Sequence, residues 1–205
     1  PLAGIALATH TIHAKYSSQG YLDSLPMLWM ALAMLLAWHH RGTKRDHAWW
    51  LVGGCWGAAL AGKWLHGLPG IVMLLVIPGW RARAQIVATS VAGWILLDPS
   101  MWGGPGASIA EKIMLHRAYA ASLTVETSWT APLWTLVSGG PARWHPDVFP
   151  MSLDAVWAVL ALAGLWRSRR EPFARYLLAW MALPLVVMML WGTRWPQHTM
   201  VLVMP

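Results

Sequence analysis

The chain has 205 residues, of which 57% are hydrophobic and only 11% are Asp, Glu, Lys or Arg. A soluble domain carries about a quarter of its residues as these charged types, so the composition indicates a surface that faces lipid. The formal charge of +7 would suit nucleic acid. Nine of the fifteen basic residues, however, lie in alternate connections between apolar runs, which indicates a membrane topology signal and excludes nucleic acid as a partner. A single cysteine, Cys55, excludes a disulfide framework and a cysteine-based zinc site.

Six apolar runs predict helices that cross a bilayer, and residues 1–20 are expected to end a preceding one. A span needs about 20 apolar residues, so the shorter runs need flanking Trp, His and Arg to reach the interfaces. The predicted fold is all-α: a polytopic transmembrane helical domain with about six to seven spans, of which residues 1–205 are an internal part. The runs are Tyr21–Trp38, Ala48–Gly62, Trp64–Trp80, Ala84–Leu97, Leu153–Trp166 and Ala174–Trp191.

The second run carries small residues at four-residue spacing, at Gly53, Gly57 and Ala61. Such a stripe allows the backbone of a neighbouring helix to approach closely. We therefore expect this helix to pack closely against another helix.

Basic residues concentrate in alternate connections, namely His39–His47, the turn after Trp80, and Arg167–Arg175. The positive-inside rule places these on the cytoplasmic side. A long loop of about 98–152 then lies on the outer side. Within it, Ser108 and Glu111 fit a capping box that predicts a helix reaching about Ser122, lying on the membrane surface or over a cavity.

Ionisable residues gather at the predicted outer helix ends, where one outward-facing site could hold them. Asp23 is a helix cap or an acid that holds an acceptor or a basic partner. Lys63 reaches the interface as an anchor or binds phosphate. Arg194 is an interfacial anchor or, with neighbouring donors, a ligand for a phosphate headgroup. The candidates for substrate binding are Asp23, Lys63, His66, Arg194, Gln197 and His198, with Asp98 near the same side.

The histidines do not predict a metal site. His10 and His13 are three positions apart, whereas a zinc pair on one helix face is four apart. No nucleophile triad or phosphate-cradling glycine loop is present, so no metal and no cofactor are expected.

Several outer-end segments together resemble the protein mannosyltransferase and aminoarabinose transferase family, including its bacterial members. The resemblance covers most of the chain. It rests on Asp23 at a helix start, on Gly57–Lys63 followed by Trp64, on Asp98-Pro99-Ser100-Met101-Trp102, and on Arg194-Trp195-Pro196-Gln197-His198.

The resemblance implies a GT-C fold in a bacterial plasma membrane, with the long loop outside the cytoplasm. It implies transfer of a sugar from a polyprenyl-phosphate-linked donor to a hydroxyl of a protein or glycolipid acceptor. Lys63 and Arg194 would hold the lipid phosphate, and Asp23 would shape the acceptor site. The family's main catalytic acid would precede Pro1, so no catalytic residue is assigned. Arg194 and His198 stand where that family commonly has Lys and Tyr.

Two other functions compete with the glycosyltransferase. A multi-spanning transporter or channel would place charges or broken helices near the bilayer midplane and would show internal repeats. A non-catalytic assembly subunit would tolerate replacement of Lys63 and Arg194 without loss of function.

Overall fold

The computed structural model describes residues 2–18, 23–42, 46–122, 128–138, 146–147, 150–190 and 202. Within these residues all of the regular secondary structure is helical. It divides into two compact units. The terminal unit comprises Pro1–Ser24 with Thr127–Pro205, and the central unit comprises Leu25–Glu126.

Eleven α-helices and one 3-10 helix are described. In chain order they are α1 (Leu2–Thr9), α2 (Thr11–Ser18), α3 (Ser24–His40), α4 (Asp46–Gly62), α5 (Trp64–Gly67), α6 (Pro69–Val76), α7 (Trp80–Leu97), the 3-10 helix (Pro99–Met101), α8 (Pro105–Ser122), α9 (Ala131–Val137), α10 (Asp154–Arg167) and α11 (Pro172–Leu190).

Helices α4 and α7 form the tightest contact of the central unit, as the small-residue stripe predicts. A Cβ added at Gly53 would lie 2.6 Å from the Ile86 carbonyl oxygen. One added at Gly57 would lie 2.5 Å from the Ser90 oxygen and 3.0 Å from Gly93 Cα. Only the absence of a side chain allows this approach. Because a step of four residues on α4 matches a step of four on α7, the two helices run parallel.

Helices α3, α5 and α6 run antiparallel to α4. The side chain of Pro26, near the start of α3, lies against Gly62 at the end of α4. Helices α5 and α6 return along α4, and the Trp56 indole N–H donates to the Gly67 carbonyl at 2.7 Å. Gly79, with φ +79°, then lets the chain reverse into α7, because this backbone conformation strains any residue with a Cβ.

This arrangement gives the central unit two chemically distinct ends. The C-terminus of α3 and the N-termini of α4 and α7 lie at one end, which carries Arg41, Arg81 and Arg83 and is called here the basic end. The C-termini of α4 and α7 lie at the other, so Lys63 and Asp98 share that end. It is called the Lys63–Asp98 end.

In the terminal unit, α9 packs against both α10 and α11. Helix α11 buries one stripe at four-residue spacing, formed by Tyr176, Trp180, Pro184 and Met188. Most of its remaining surface is exposed.

The prediction of six to seven membrane spans is wrong. Among the described residues only α11 is long and apolar enough to cross a membrane by length and composition. Only 28% of its apolar window is buried, whereas the core helix of a soluble protein would be mostly covered. The described part of the chain therefore contains one candidate membrane-spanning helix, and a multi-pass location is not confirmed.

The apolar runs fail as spans for physical reasons. Helices α3 and α4 have 17 residues each and α10 has 14. At about 1.5 Å per residue they reach about 21–26 Å, short of the roughly 30 Å hydrocarbon core. The run from Trp64 breaks between Gly67 and Pro69. Helix α7 has 18 residues but carries Arg81 and Arg83 in its first turn.

The predicted capping box at Ser108 is also wrong, although the helix that it predicted is present. Helix α8 begins three residues earlier, at Pro105, so Ser108 lies inside it. Its hydroxyl donates to the Ser100 carbonyl at 2.5 Å and ties α8 to the 3-10 helix.

Candidate functional site

A polar cluster at the Lys63–Asp98 end is built around the carboxylate of Asp98, which ends α7. One oxygen accepts from the Ser100 backbone N–H at 3.1 Å and from its hydroxyl at 2.6 Å. The other accepts from the Trp94 indole N–H at 3.3 Å and from the Lys112 ammonium on α8. Pro99 stops α7 because it cannot continue the helix, and the turn that follows brings Ser100 back onto Asp98.

The Asp98 carboxylate is held in its charged form. Burial raises the pKa of Asp98, but the hydrogen bonds from Lys112 and Ser100 and the charge of Lys112 outweigh burial and lower it below its ordinary value. Such a carboxylate is a weak proton acceptor near neutral pH. Its chemical effect is to orient Lys112, whose side chain is 37% exposed. An ammonium has three N–H donors, so Lys112 can donate to an anionic ligand as well as to Asp98.

Lys63 occupies the break between α4 and α5. Its backbone is extended, with φ −161° and ψ 112°, and its carbonyl accepts from the His66 backbone N–H at 3.0 Å. Lys63 is half-buried, whereas His66 is completely buried beneath the break. The structure thus brings these two predicted site residues into one turn.

Of the four other predicted substrate-binding residues, only Asp23 is among the residues that the structure describes. Asp23 is buried one residue before α3 and belongs to the terminal unit. Arg194, Gln197 and His198 lie outside the described residues. Convergence of all six residues into one site stays a prediction.

A second polar cluster, in the terminal unit, was missed by the sequence analysis. Asp154 is completely buried at the start of α10. Its oxygens accept from the Thr11 backbone N–H at 2.8 Å and from the Thr11 hydroxyl at 2.5 Å. Ser152 accepts from the Asp154 N–H at 3.2 Å, as a helix-capping hydroxyl does. The available signal was an acid directly preceding an apolar helix.

His10 lies beside this carboxylate, with Nδ1 3.8 Å from an Asp154 oxygen. Burial lowers the pKa of His10, and the charge of Asp154 and a hydrogen bond to the Leu136 backbone offset part of this effect. Next to it, the pKa of His13 is also lowered, by burial and by the charge of His10. Within the described part of the chain no group of three or more His, Cys, Asp or Glu side chains could hold a metal ion.

Comparison of the chain with protein-family models, curated proteins and solved structures gives no match. The two polar clusters and the apolar surface around them are therefore the features that indicate a function.

Proposed function

We propose that the chain is part of a membrane glycosyltransferase. It moves a sugar from a polyprenyl-phosphate-linked donor to an acceptor hydroxyl at the Lys63–Asp98 end of the central unit. The observation that carries the proposal is that two lysines, Lys63 and the Asp98-bound Lys112, stand at one end of a unit whose sides are apolar.

The leaving group of such a reaction is a lipid phosphate, on which negative charge accumulates in the transition state. Fixed ammonium groups stabilise that charge, and removal of one such donor typically costs a factor of about 100 to 1,000 in rate. Lys112 is preorganised by Asp98, and Lys63 is fixed at a helix break. The Asp98-bound ammonium of Lys112 and the position of Lys63 at the helix break support a phosphate site at this end.

The lipid part of the donor needs an apolar surface beside the phosphate site. Helix α3 exposes 58% of Leu25 and 50% of Leu28 in the half near Pro26, whose side chain lies at the same end. Exposed leucines of this kind suit a polyprenyl chain within a bilayer. On this proposal the protein is anchored in a bacterial plasma membrane with the Lys63–Asp98 end outside the cytoplasm.

The remaining predicted residues keep their proposed roles in substrate binding. A role for Asp23 in the acceptor site, and for Arg194, Gln197 and His198 in binding the phosphate, stays a prediction. The acceptor hydroxyl loses its proton to a carboxylate. Because Asp98 is held by Lys112 and Ser100, that base is another residue.

The test is release or transfer of radiolabelled sugar from polyprenyl-phosphate donors by the full-length protein in detergent. We expect Lys63→Gln and Lys112→Gln each to lower kcat/KM at least tenfold. Arg117→Gln is the matched control, since it removes a positive charge from an exposed position on the same helix as Lys112. Equal activity of all four proteins would contradict the proposal, as would the absence of turnover with every donor.

Transport is the second candidate, and the interrupted segment Trp64–Val76 favours it. Interrupted helices bind ions and solutes in transporters because their free ends present unsatisfied backbone groups. Uptake into liposomes that depends on Lys63, with no sugar release, would select this function.

A further inference from the structure

A basic turn joins α10 to the candidate membrane-spanning helix α11. Arg169 lies in this turn with its guanidinium carbon 4.3 Å from the centre of the Trp166 ring. The same guanidinium donates to the Trp166 carbonyl at 3.0 Å. The Arg169 carbonyl in turn accepts from Arg175 at 3.2 Å. Arg169 is therefore fixed by stacking and by hydrogen bonds on either side.

Positive charge dominates this turn. Arg167–Arg175 contains four arginines and one acid, Glu171, which gives a formal charge of 4 − 1 = +3. All five charged residues are exposed. Helix α11, which begins at Pro172, fixes this charge at one end of a membrane-length apolar helix.

The surface next to the turn is apolar. Trp166 is 70% exposed, and on α10 Leu162 and Val159 are 59% and 63% exposed. An exposed indole beside a guanidinium suits the headgroup region, where the ring is buried and the charge stays wet. The stacked guanidinium keeps N–H groups available at its edge, and this planar edge matches phosphate oxygens.

The central unit contains the same pair twice at its basic end. The Arg41 guanidinium lies 3.5 Å from the Trp38 ring centre, and that of Arg81 lies 5.9 Å from the Trp80 ring centre. Arg41 also donates to the carbonyl of its tryptophan, as Arg169 does. The tryptophan–arginine pair thus occurs at the ends of three different helices, which indicates a repeated structural feature of this protein.

We propose that the turn Trp166–Arg175 binds the phosphate headgroup of an anionic phospholipid of the bilayer. The guanidinium of Arg169 and its arginine neighbours contact the phosphate, while Trp166 and the exposed face of α10 contact the glycerol and upper acyl region. The excess of three positive charges selects an anionic headgroup over a zwitterionic one. The site is separate from the sugar-donor site and does not depend on it.

The experiment titrates dioleoylphosphatidylglycerol and dioleoylphosphatidylcholine onto the full-length protein in detergent and counts bound lipids by native mass spectrometry. We expect the wild type to bind the anionic lipid more tightly than the zwitterionic one. Arg169→Gln weakens binding of the anionic lipid about fivefold, as expected for one basic residue at an anionic surface. Arg117→Gln, an equal loss of charge on α8, leaves it unchanged.

A second variant is expected to bind the anionic lipid more tightly than the wild type, and misfolding cannot explain tighter binding. Glu171→Gln removes the single acid of the turn and should tighten binding of the anionic lipid about twofold to fivefold. Equal affinity for the two lipids, or an equal effect of Arg169→Gln and Arg117→Gln, overturns the proposal. Displacement of the lipid by millimolar glycerol phosphate also overturns it, because the site would then bind free phosphate without needing a bilayer.

Discussion

The central unit and the terminal unit are each stabilised by a different kind of interaction. In the central unit, α4 and α7 approach so closely at Gly53 and Gly57 that backbone touches backbone. In the terminal unit, a buried carboxylate at Asp154 collects two hydrogen bonds from Thr11, 143 positions away in the chain. Close packing in the central unit requires positions without side chains, Gly53 and Gly57, whereas the terminal unit contains a buried polar contact made by the Asp154 side chain.

This difference predicts which substitutions destabilise each unit. Close helix packing gains many weak dispersion contacts, which are lost when any atom is inserted. A buried carboxylate gains little net free energy over an apolar core, but removing it leaves its donors unsatisfied. Substitutions that add atoms should therefore damage the central unit most, and those that remove polar atoms should damage the terminal unit most.

The largest effect is expected from Asp154→Ala. It leaves the Thr11 N–H and hydroxyl buried without an acceptor, at a cost of about 3 kcal/mol in the free energy of unfolding. Unfolding in detergent followed by circular dichroism measures the loss. Asp154→Asn, which keeps one acceptor oxygen, should lose less. Asp147→Ala removes an exposed carboxylate and is the control. Equal stability of the Asp154→Ala and Asp147→Ala proteins would show that the buried cluster does not hold the terminal unit.

A smaller effect is expected from Gly57→Ala in the central unit. Its new Cβ would lie 2.5 Å from the Ser90 oxygen, so α4 and α7 must separate, at a cost of about 2 kcal/mol. Gly54→Ala is the matched control, because nothing lies within 4 Å of a Cβ at that position. That change should instead stabilise the helix by up to about 1 kcal/mol. The same unfolding measurement decides; destabilisation by both would mean that helix contact is not the cause.

The smallest effect is a pH dependence confined to the terminal unit. The lowered pKa of His10 means that the folded state binds its proton more weakly than the unfolded state does. Stability is therefore full above the unfolded pKa of about 6.5 and falls as the pH drops towards the lower folded pKa. His13 acts in the same direction.

The variant His10→Gln separates this contribution from the rest. It should reduce the loss of stability between pH 7.5 and pH 5, because the variant has no proton to bind at position 10. His39→Gln, at an exposed position of the central unit, should leave the pH profile as it is. A profile that His10→Gln does not change would assign the pH dependence to other groups.

Local signals predicted the helices well and their membrane role poorly. The apolar runs lie where α3, α4, α7, α10 and α11 are found. The glycine spacing on α4 predicted a close helix contact without naming the partner, which is α7. The hydrophobic composition of a segment indicates that it is buried from water, but it does not give the length of the helix that the segment forms. The break at Pro69 and the arginines at the start of α7 shorten the apolar segments below a bilayer's thickness.

The clusters depend on long-range folding and were only partly predictable. Lys63 and Asp98 were expected at one side from the alternation of basic loops, and the parallel packing of α4 and α7 brings them to one end. The partnership of Asp98 with Lys112 was not foreseen, because Lys112 was assigned to a loop helix of unknown orientation. The contact of Thr11 with Asp154 joins distant parts of the sequence that no local pattern relates.

The parallel alignment of α4 and α7 has an electrostatic consequence. Neighbouring antiparallel helices cancel their macrodipoles, whereas parallel ones add them, with about half a negative charge at each C-terminus. Both C-termini lie at the Lys63–Asp98 end, which is therefore the negative pole of the pair. The N-terminus of the antiparallel helix α3 lies at the same end and offsets part of this negative charge. Lys63 and Lys112 offset the rest together with the Asp98 carboxylate, so loss of either lysine would make this end less favourable for an incoming anion.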